Sequence, residues 1–205
     1  MTKPSDAAAF WDARYRAPGF AYGEAPNDFL VEVADRLPTG PALCLAEGEG
    51  RNAVFLARRG HDVTAVDLSA VGLAKAVERA ASAGVTLRTE VADLATWPMP
   101  KGAFAAIVSV WAHMPTPVRR ELHRRVVDAL VPGGVFVLEA YRPGQELRGT
   151  GGPPDPALLM SADELRDELL GLGVLIAREL TRPIHEGPFH EGDSDVVQLL
   201  AQRPP

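Results

Sequence analysis

At 205 residues, with 46% hydrophobic and 23% charged content, the chain reads as one folded domain with room for a substantial core. A formal charge of −6 and a pI near 5.4 argue against a nucleic-acid partner, which needs a basic surface. No apolar run reaches membrane-spanning length, no signal pattern opens the chain, and one cysteine forms no internal disulfide, so a cytoplasmic protein without a membrane partner is expected.

Residues 5–37 read as two short helices around a turn at Pro18-Gly19. Six of the thirteen aromatic residues fall here (Phe10, Trp11, Tyr15, Phe20, Tyr22 and Phe29), so the segment must pack on something. It is either a plain flank of the sheet that follows or a lid over a ligand. Polar Tyr22, before Gly23, and Asn27-Asp28, after Pro26, are oddly placed for a segment that only packs.

An apolar run, Ala42 to Ala46, then ends in a glycine loop (Gly48, Gly50), and a helical pattern starts at Asn52. Strand, tight turn and helix is how a nucleotide-binding α/β domain begins. Gly48-x-Gly50-x-x-Ala53 fits the loose dinucleotide fingerprint, so a nicotinamide- or flavin-dependent oxidoreductase is the first alternative. Glu47 and Glu49 argue against it, because a carboxylate about 4 Å from a phosphate is repelled by roughly 4 kcal/mol at a dielectric of about 20. The loop suits a nucleoside with positive charge and no phosphate, such as S-adenosylmethionine (SAM). The plain alternative leaves both glutamates solvated at a helix start, where acids are favoured. Cys44, inside the strand, is expected to be an inert thiol.

A second strand, Asp62 to Val66, ends in Asp67, where a carboxylate can accept from both hydroxyls of a ribose; Ser69 then caps a helix. A third strand, about Thr86 to Ala92, ends in Asp93-Leu94, so Glu47, Asp67 and Asp93 fall at one edge of a parallel sheet. The fourth, Phe104 to Val110, is continuously apolar and runs into Trp111 and His113 at that edge. In the next helix, opened by Thr116-Pro117, Arg119, Arg120, Arg124 and Arg125 are expected to form a solvated face. After the stop at Pro132-Gly133-Gly134 come a strand, Val135 to Tyr141, and a loop, Arg142 to Met160, placed to cover the site. A capping box at Ser161 and Glu164 opens the last helix. Strands at about 174–182 and 195–202 close the chain as an antiparallel hairpin. His185, Glu186, His190 and Glu191 in its turn match no zinc spacing and are expected to be solvated, so no metal is expected.

The chain resembles the class I SAM-dependent methyltransferases, most closely the tellurite-resistance and thiopurine-methyltransferase-like branch, over nearly its whole length. The residues that carry this are Trp11-Asp12-x-Arg14-Tyr15, Tyr22-Gly23-x-x-Pro26-Asn27, Glu47 to Asn52, Ala65-Val66-Asp67-x-Ser69, Ala92-Asp93-Leu94 and Pro132-Gly133-Gly134. The resemblance implies an α/β, Rossmann-like fold with a seven-stranded, mostly parallel sheet in the order 3-2-1-4-5-7-6 and helices on both faces. It implies one domain over 1–205: a helical lid segment at 1–37, a SAM-binding core at 42–140, and a substrate-side loop with the closing hairpin at 141–205. Gly48 and Gly50 would approach the methionine part of SAM, Asp67 the ribose, and Asp93 with the Leu94 amide the adenine. Ala46, Glu47, Leu68, Trp11, Tyr22 and Trp111 complete the expected cofactor contacts. One departure is that Cys44 stands where the family carries an acid, and Glu47 is the candidate to replace it. The expected reaction is methyl transfer to a small soft nucleophile, a thiol or a metalloid or chalcogen oxyanion. His113 and Tyr22, with Tyr141, are candidates for positioning or base catalysis. A nicotinamide oxidoreductase and a non-catalytic SAM-binding regulator stay open as alternatives, as do monomer and homodimer.

Overall fold

The structure, a computed structural model, describes residues 4–205, with side chains from Asp6 onward. Its centre is Phe104–Val110 (β4), whose seven residues are all buried, as a strand covered on both faces requires. Pro41–Leu45 (β1), Asp62–Asp67 (β2) and Arg88–Val91 (β3) extend the sheet on one side. Leu130–Tyr141 (β5), Gly173–His185 (β6) and Glu191–Gln202 (β7) extend it on the other. The order is β3-β2-β1-β4-β5-β7-β6, and β7 runs antiparallel to both neighbours. This is the order the resemblance implies.

Alternation along the strands splits the core into two layers. Leu43 and Leu45 face Thr116–Ala129 (α5) and Ala162–Glu168 (α6), with Ile107, Leu122, Val126 and Leu165 beside them. Ala42 and Cys44 face the opposite layer with Val108, where Phe29 of Asp28–Val33 (α2), Leu56 of Arg51–Arg58 (α3) and Leu73 of Ala70–Ser82 (α4) pack. Pro4–Tyr15 (α1) lies against α4. Ser69 caps α4 by accepting from the Gly72 N–H, and the capping box at Ser161 and Glu164 forms.

Two boundaries differ from expectation. β5 begins at Leu130 and runs through Pro132-Gly133-Gly134, because the register shift between Phe104 and Ala106 lets the strand absorb the turn residues. The hairpin strands reach His185 and Glu191, which shortens the turn to 186–190.

The arginine face of α5 is not uniformly solvated, and the expectation is corrected. Arg120 and Arg124 are exposed, but Arg119 is 1% exposed. It donates to both oxygens of Glu168 and, at 3.1 Å, to the Leu159 carbonyl. Arg125 donates to the Leu94 and Trp97 carbonyls, fixing the turn after β3. Burial alone would raise the Glu168 pKa, but hydrogen bonds from His123 and Arg119 win and hold it at about 2. Its contribution to stability is therefore complete above the ordinary value of 4.5 and is lost as pH falls towards 2. Arg119→Met, which leaves the buried Glu168 carboxylate with His123 as its close partner, is expected to cost about 3 kcal/mol, read as a lower urea midpoint at unchanged slope.

Candidate functional site

The β1–α3 loop turns on three left-handed residues, Ala46 (φ 49), Gly48 (φ 61) and Gly50 (φ 86). Ala46 is the unusual one, because a side chain rarely sits there without a reason in the surroundings. The two loop glutamates behave differently from both sequence readings. Glu47 accepts from the Asn52 and Ala53 N–H groups at 3.0 and 2.8 Å, so it caps the start of α3. Burial pushes its pKa up to about 7 against those hydrogen bonds, and the Cys44 thiol donates to it. The Glu47 carboxyl thus lies beside the position where the family's acid is missing. Glu49 is buried, paired with Lys75, and accepts from the Ala21 N–H at 2.7 Å. Neither carboxylate is simply solvated: Glu49 is paired, and Glu47 takes both amides on one oxygen, Oε1.

Asp67 ends β2 at 5% exposure. One oxygen accepts from the Gly48 N–H at 2.8 Å and the other from the Ser69 N–H at 2.7 Å. A carboxylate carries about four lone-pair sites, so these N–H groups leave part of its acceptor capacity unused. Burial raises its pKa above the ordinary value, against the lowering effect of these N–H groups and that of Leu68. The glycine loop and the β2 end are in this way one unit.

The aromatic N-terminus packs on that unit rather than on a distant flank. Tyr15 is buried over the loop: a Cβ at Gly48 would lie 2.6 Å from its hydroxyl, and one at Gly72 2.9 Å from its ring. Trp11 stacks on Tyr15 at 5.9 Å, and Asp12 accepts from the Ser69 hydroxyl at 2.5 Å. Tyr22 accepts from Arg14 at 2.8 Å and lies 4.6 Å from the His190 ring. Asp93 closes its own turn by accepting from the Ala95 N–H at 2.8 Å, while the Leu94 side chain is in the core.

At the end of β4, Trp111 adopts φ 58, a strained conformation for a bulky residue. Its ring stacks on Tyr141 at 4.4 Å and its indole N–H donates to Glu186 at 2.5 Å. His113 has both nitrogens engaged, Nδ1 with the Trp111 carbonyl at 3.1 Å and Nε2 with the Tyr141 N–H at 3.0 Å. Burial lowers its pKa to about 4. It is a neutral ring holding two strand ends together, so of its two expected roles the geometry serves positioning and not base catalysis.

The hairpin turn corrects a second expectation. His185 and Glu191 are exposed and pair with each other, but Glu186 and His190 are each 6% exposed and point inward. Glu186 accepts from Arg51 at 2.6 Å and from Asn27 at 3.0 Å. Asn27 also donates to Glu139 of β5 at 2.5 Å. Glu139 is paired with Arg182 at 2.8 Å and accepts from Gln198 at 2.7 Å. Burial alone would raise the Glu186 pKa; Arg51, Trp111 and Arg182 outweigh it and hold it below the ordinary range. Sequence reasoning missed this network. Asn27, beside Pro26, and Glu139, a charge inside an apolar strand, were its only local signals.

Residues 42–134 match the family model of a methyltransferase domain. Over 118 residues the chain is 36% identical to a trans-aconitate 2-methyltransferase of Sinorhizobium fredii, covering 55% of this chain and 42% of that one. Over 127 residues it is 27% identical to a 2-heptyl-1-hydroxyquinolin-4(1H)-one methyltransferase of Mycobacteroides abscessus, covering 60% and 56%. The chain thus spans roughly half the length of these curated relatives. The solved structure of TehB from Haemophilus influenzae superimposes with a TM-score of 0.73 at 17% identity, covering 96% of this chain and 66% of that one. At that identity the likeness is one of fold, and the fold is the Rossmann-like methyltransferase fold.

Glu186→Ala leaves Arg51 buried without its carboxylate and removes the acceptor of Trp111. The expected cost is about 3–5 kcal/mol in a denaturation midpoint. Glu186→Gln, which keeps an acceptor for Trp111, should cost less.

Proposed function

We propose that this chain is a SAM-dependent methyltransferase acting on a small-molecule soft nucleophile, a thiol or a metalloid or chalcogen oxyanion, in the manner of the tellurite-resistance and thiopurine-methyltransferase-like branch. The observation that carries the reading is the unit made by Gly48 and Asp67 at the C-terminal edge of β1 and β2, where open parallel sheets bind ligands. The acceptor capacity that the backbone N–H groups leave on Asp67 would serve the hydroxyls of a ribose. Gly48 and Gly72 let Tyr15 close directly on this unit, since a Cβ at either would strike its side chain. The match over residues 42–134 and two curated relatives that methylate small molecules support the same reading.

The residues of this chain have a limited task. Bound SAM supplies a methyl group already activated by its sulfonium. The protein must orient the donor, align the acceptor and exclude water. Asp67, Gly48 and Gly50 would hold the nucleoside and methionine parts, and the Asp93-Leu94 turn the adenine. Trp11, Tyr15 and Tyr22 would form the cover, and Trp111, held by Glu186 and Tyr141, the wall on the acceptor side. The antiparallel β7 sets this sheet apart from that of the nicotinamide enzymes weighed as the alternative.

Calorimetry with SAM and NAD separates the two cofactors, and product detection across thiols and oxyanions with EDTA present tests the reaction. SAM binding without NAD binding, and turnover that survives the chelator, are expected. Asp67→Ala should weaken SAM binding by roughly 2–4 kcal/mol, at about 1–2 for each charge-assisted bond. Unchanged SAM affinity in that variant would overturn the site assignment. Deleting residues 1–23, which spares Asn27 and its network, should leave a folded domain with weakened SAM binding and no transfer. Loss of the fold would make the segment a packing element only.

A further inference from the structure

Among the described residues, most buried polar groups near the strand edge have a partner, but the His190 Nδ1 has none. Tyr141 is fully buried and His190 is 6% exposed. The His190 ring is enclosed by Tyr22 at 4.6 Å, Trp111 at 5.1 Å and Tyr141 at 5.3 Å between centroids, which places it among the rings that line the acceptor side. The loop at Gly151 closes over it, because a Cβ there would lie 2.5 Å from the Phe189 carbonyl and 3.0 Å from the His190 ring. A buried polar atom without a partner costs about 1–3 kcal/mol, so a native site that keeps one has a hydrogen-bond position to offer.

Two of the arginines around it are matched by carboxylates. Arg51 is paired with Glu186 and Arg182 with Glu139, so this network offers no net positive charge to an anion. Arg14 donates to the Tyr22 hydroxyl and lies over the Phe189 ring at 4.2 Å. His113 has both nitrogens occupied. A neutral ring with a free nitrogen, set among aromatic faces, suits a neutral X–H group better than an oxyanion.

We propose that the methyl acceptor is a neutral thiol, and that His190 Nδ1 accepts its hydrogen bond and then its proton. This rests on the methyl-transfer reading above. A lone pair on X forms the new bond to the methyl carbon, and the carbon–sulfur bond of the donor breaks with its electrons passing to the sulfonium sulfur. The X–H electrons stay on X as the proton moves to Nδ1. The imidazolium then returns its proton to solvent. Burial, aided by Arg51, His113 and Arg14 and opposed by Glu186, lowers the His190 pKa to about 3. A base that weak suffices, because X–H becomes far more acidic than an imidazolium once X carries the methyl group. Tyr22 and Tyr141, both raised in pKa mainly by burial, stay protonated and do not compete for the proton.

The test compares wild type with His190→Phe, which keeps a planar ring, on an alkyl thiol and on an aryl thiol already ionised at the assay pH. SAM affinity is measured alongside by calorimetry. Expected are SAM binding within about twofold of wild type, a loss of about 10²–10⁴-fold in kcat on the alkyl thiol, and less than about tenfold on the ionised one. Equal losses on both acceptors would overturn the proposal, as would wild-type turnover of oxyanions alone that disappears in Arg14→Gln. Failure of the wild type to bind SAM would instead sink the methyl-transfer reading. Should His190→Phe not fold, imidazole ¹⁵N NMR of the wild type with S-adenosylhomocysteine decides. The Nδ1 signal should move when an unreactive alcohol analogue is added, and an unmoved signal counts against His190.

Discussion

The arrangement of the strand edge depends on the buried polar network centred on Glu186. Its carboxylate accepts from Arg51 at the start of α3, from Trp111 after β4 and from Asn27 before α2. Through Asn27 it is joined to Glu139 of β5 and Arg182 of β6. Five segments that the sheet alone would leave to their own loops are held by a single cluster. Buried charges are costly unless every partner is present, so such a cluster specifies one arrangement and tolerates few others. Trp111 shows the consequence. Its left-handed backbone is held by the hydrogen bond to Glu186 and by stacking on Tyr141, which fixes the orientation of the indole.

A second set of contacts ties the N-terminal segment to the glycine loop and the end of β2. Glu49 takes the Ala21 N–H and Lys75, Ser69 donates to Asp12, and Tyr15 lies over Gly48. Small residues at Gly48 and Gly72 let the tyrosine come this close, as they would let a ligand backbone come close. Acids in the loop therefore serve architecture: one caps a helix and one anchors the cover.

Much of the fold was legible because its signals are local. The all-apolar β4, the glycine turn, the Ser69 cap, the capping box at Ser161 and the acid-ended strands each depend on a few adjacent residues, and together they place Asp67 and Asp93 at one edge. What was not legible depends on distant pairing. Glu186 meets Asn27 across 159 positions, and Arg119 meets Glu168 across 49. No spacing rule connects such partners, so both were read as solvated by default. The local partners of the loop glutamates were hidden for another reason. Their charge was plain, but a carboxylate that can reach the amides of the following helix has a nearer partner than any ligand, and composition does not reveal its direction.

The central claim is that the edge formed by the glycine loop, Asp67 and the Asp93 turn holds a nucleoside sulfonium beneath the aromatic N-terminus. Amide hydrogen exchange with and without S-adenosylhomocysteine tests it most directly. The account predicts slowed exchange in three stretches at once, residues 10–22, 46–52 and 67–72, with a smaller effect at 93–97. Protection confined to the surface around the arginines of α5, or no change at the glycine loop and Asp67, would contradict it.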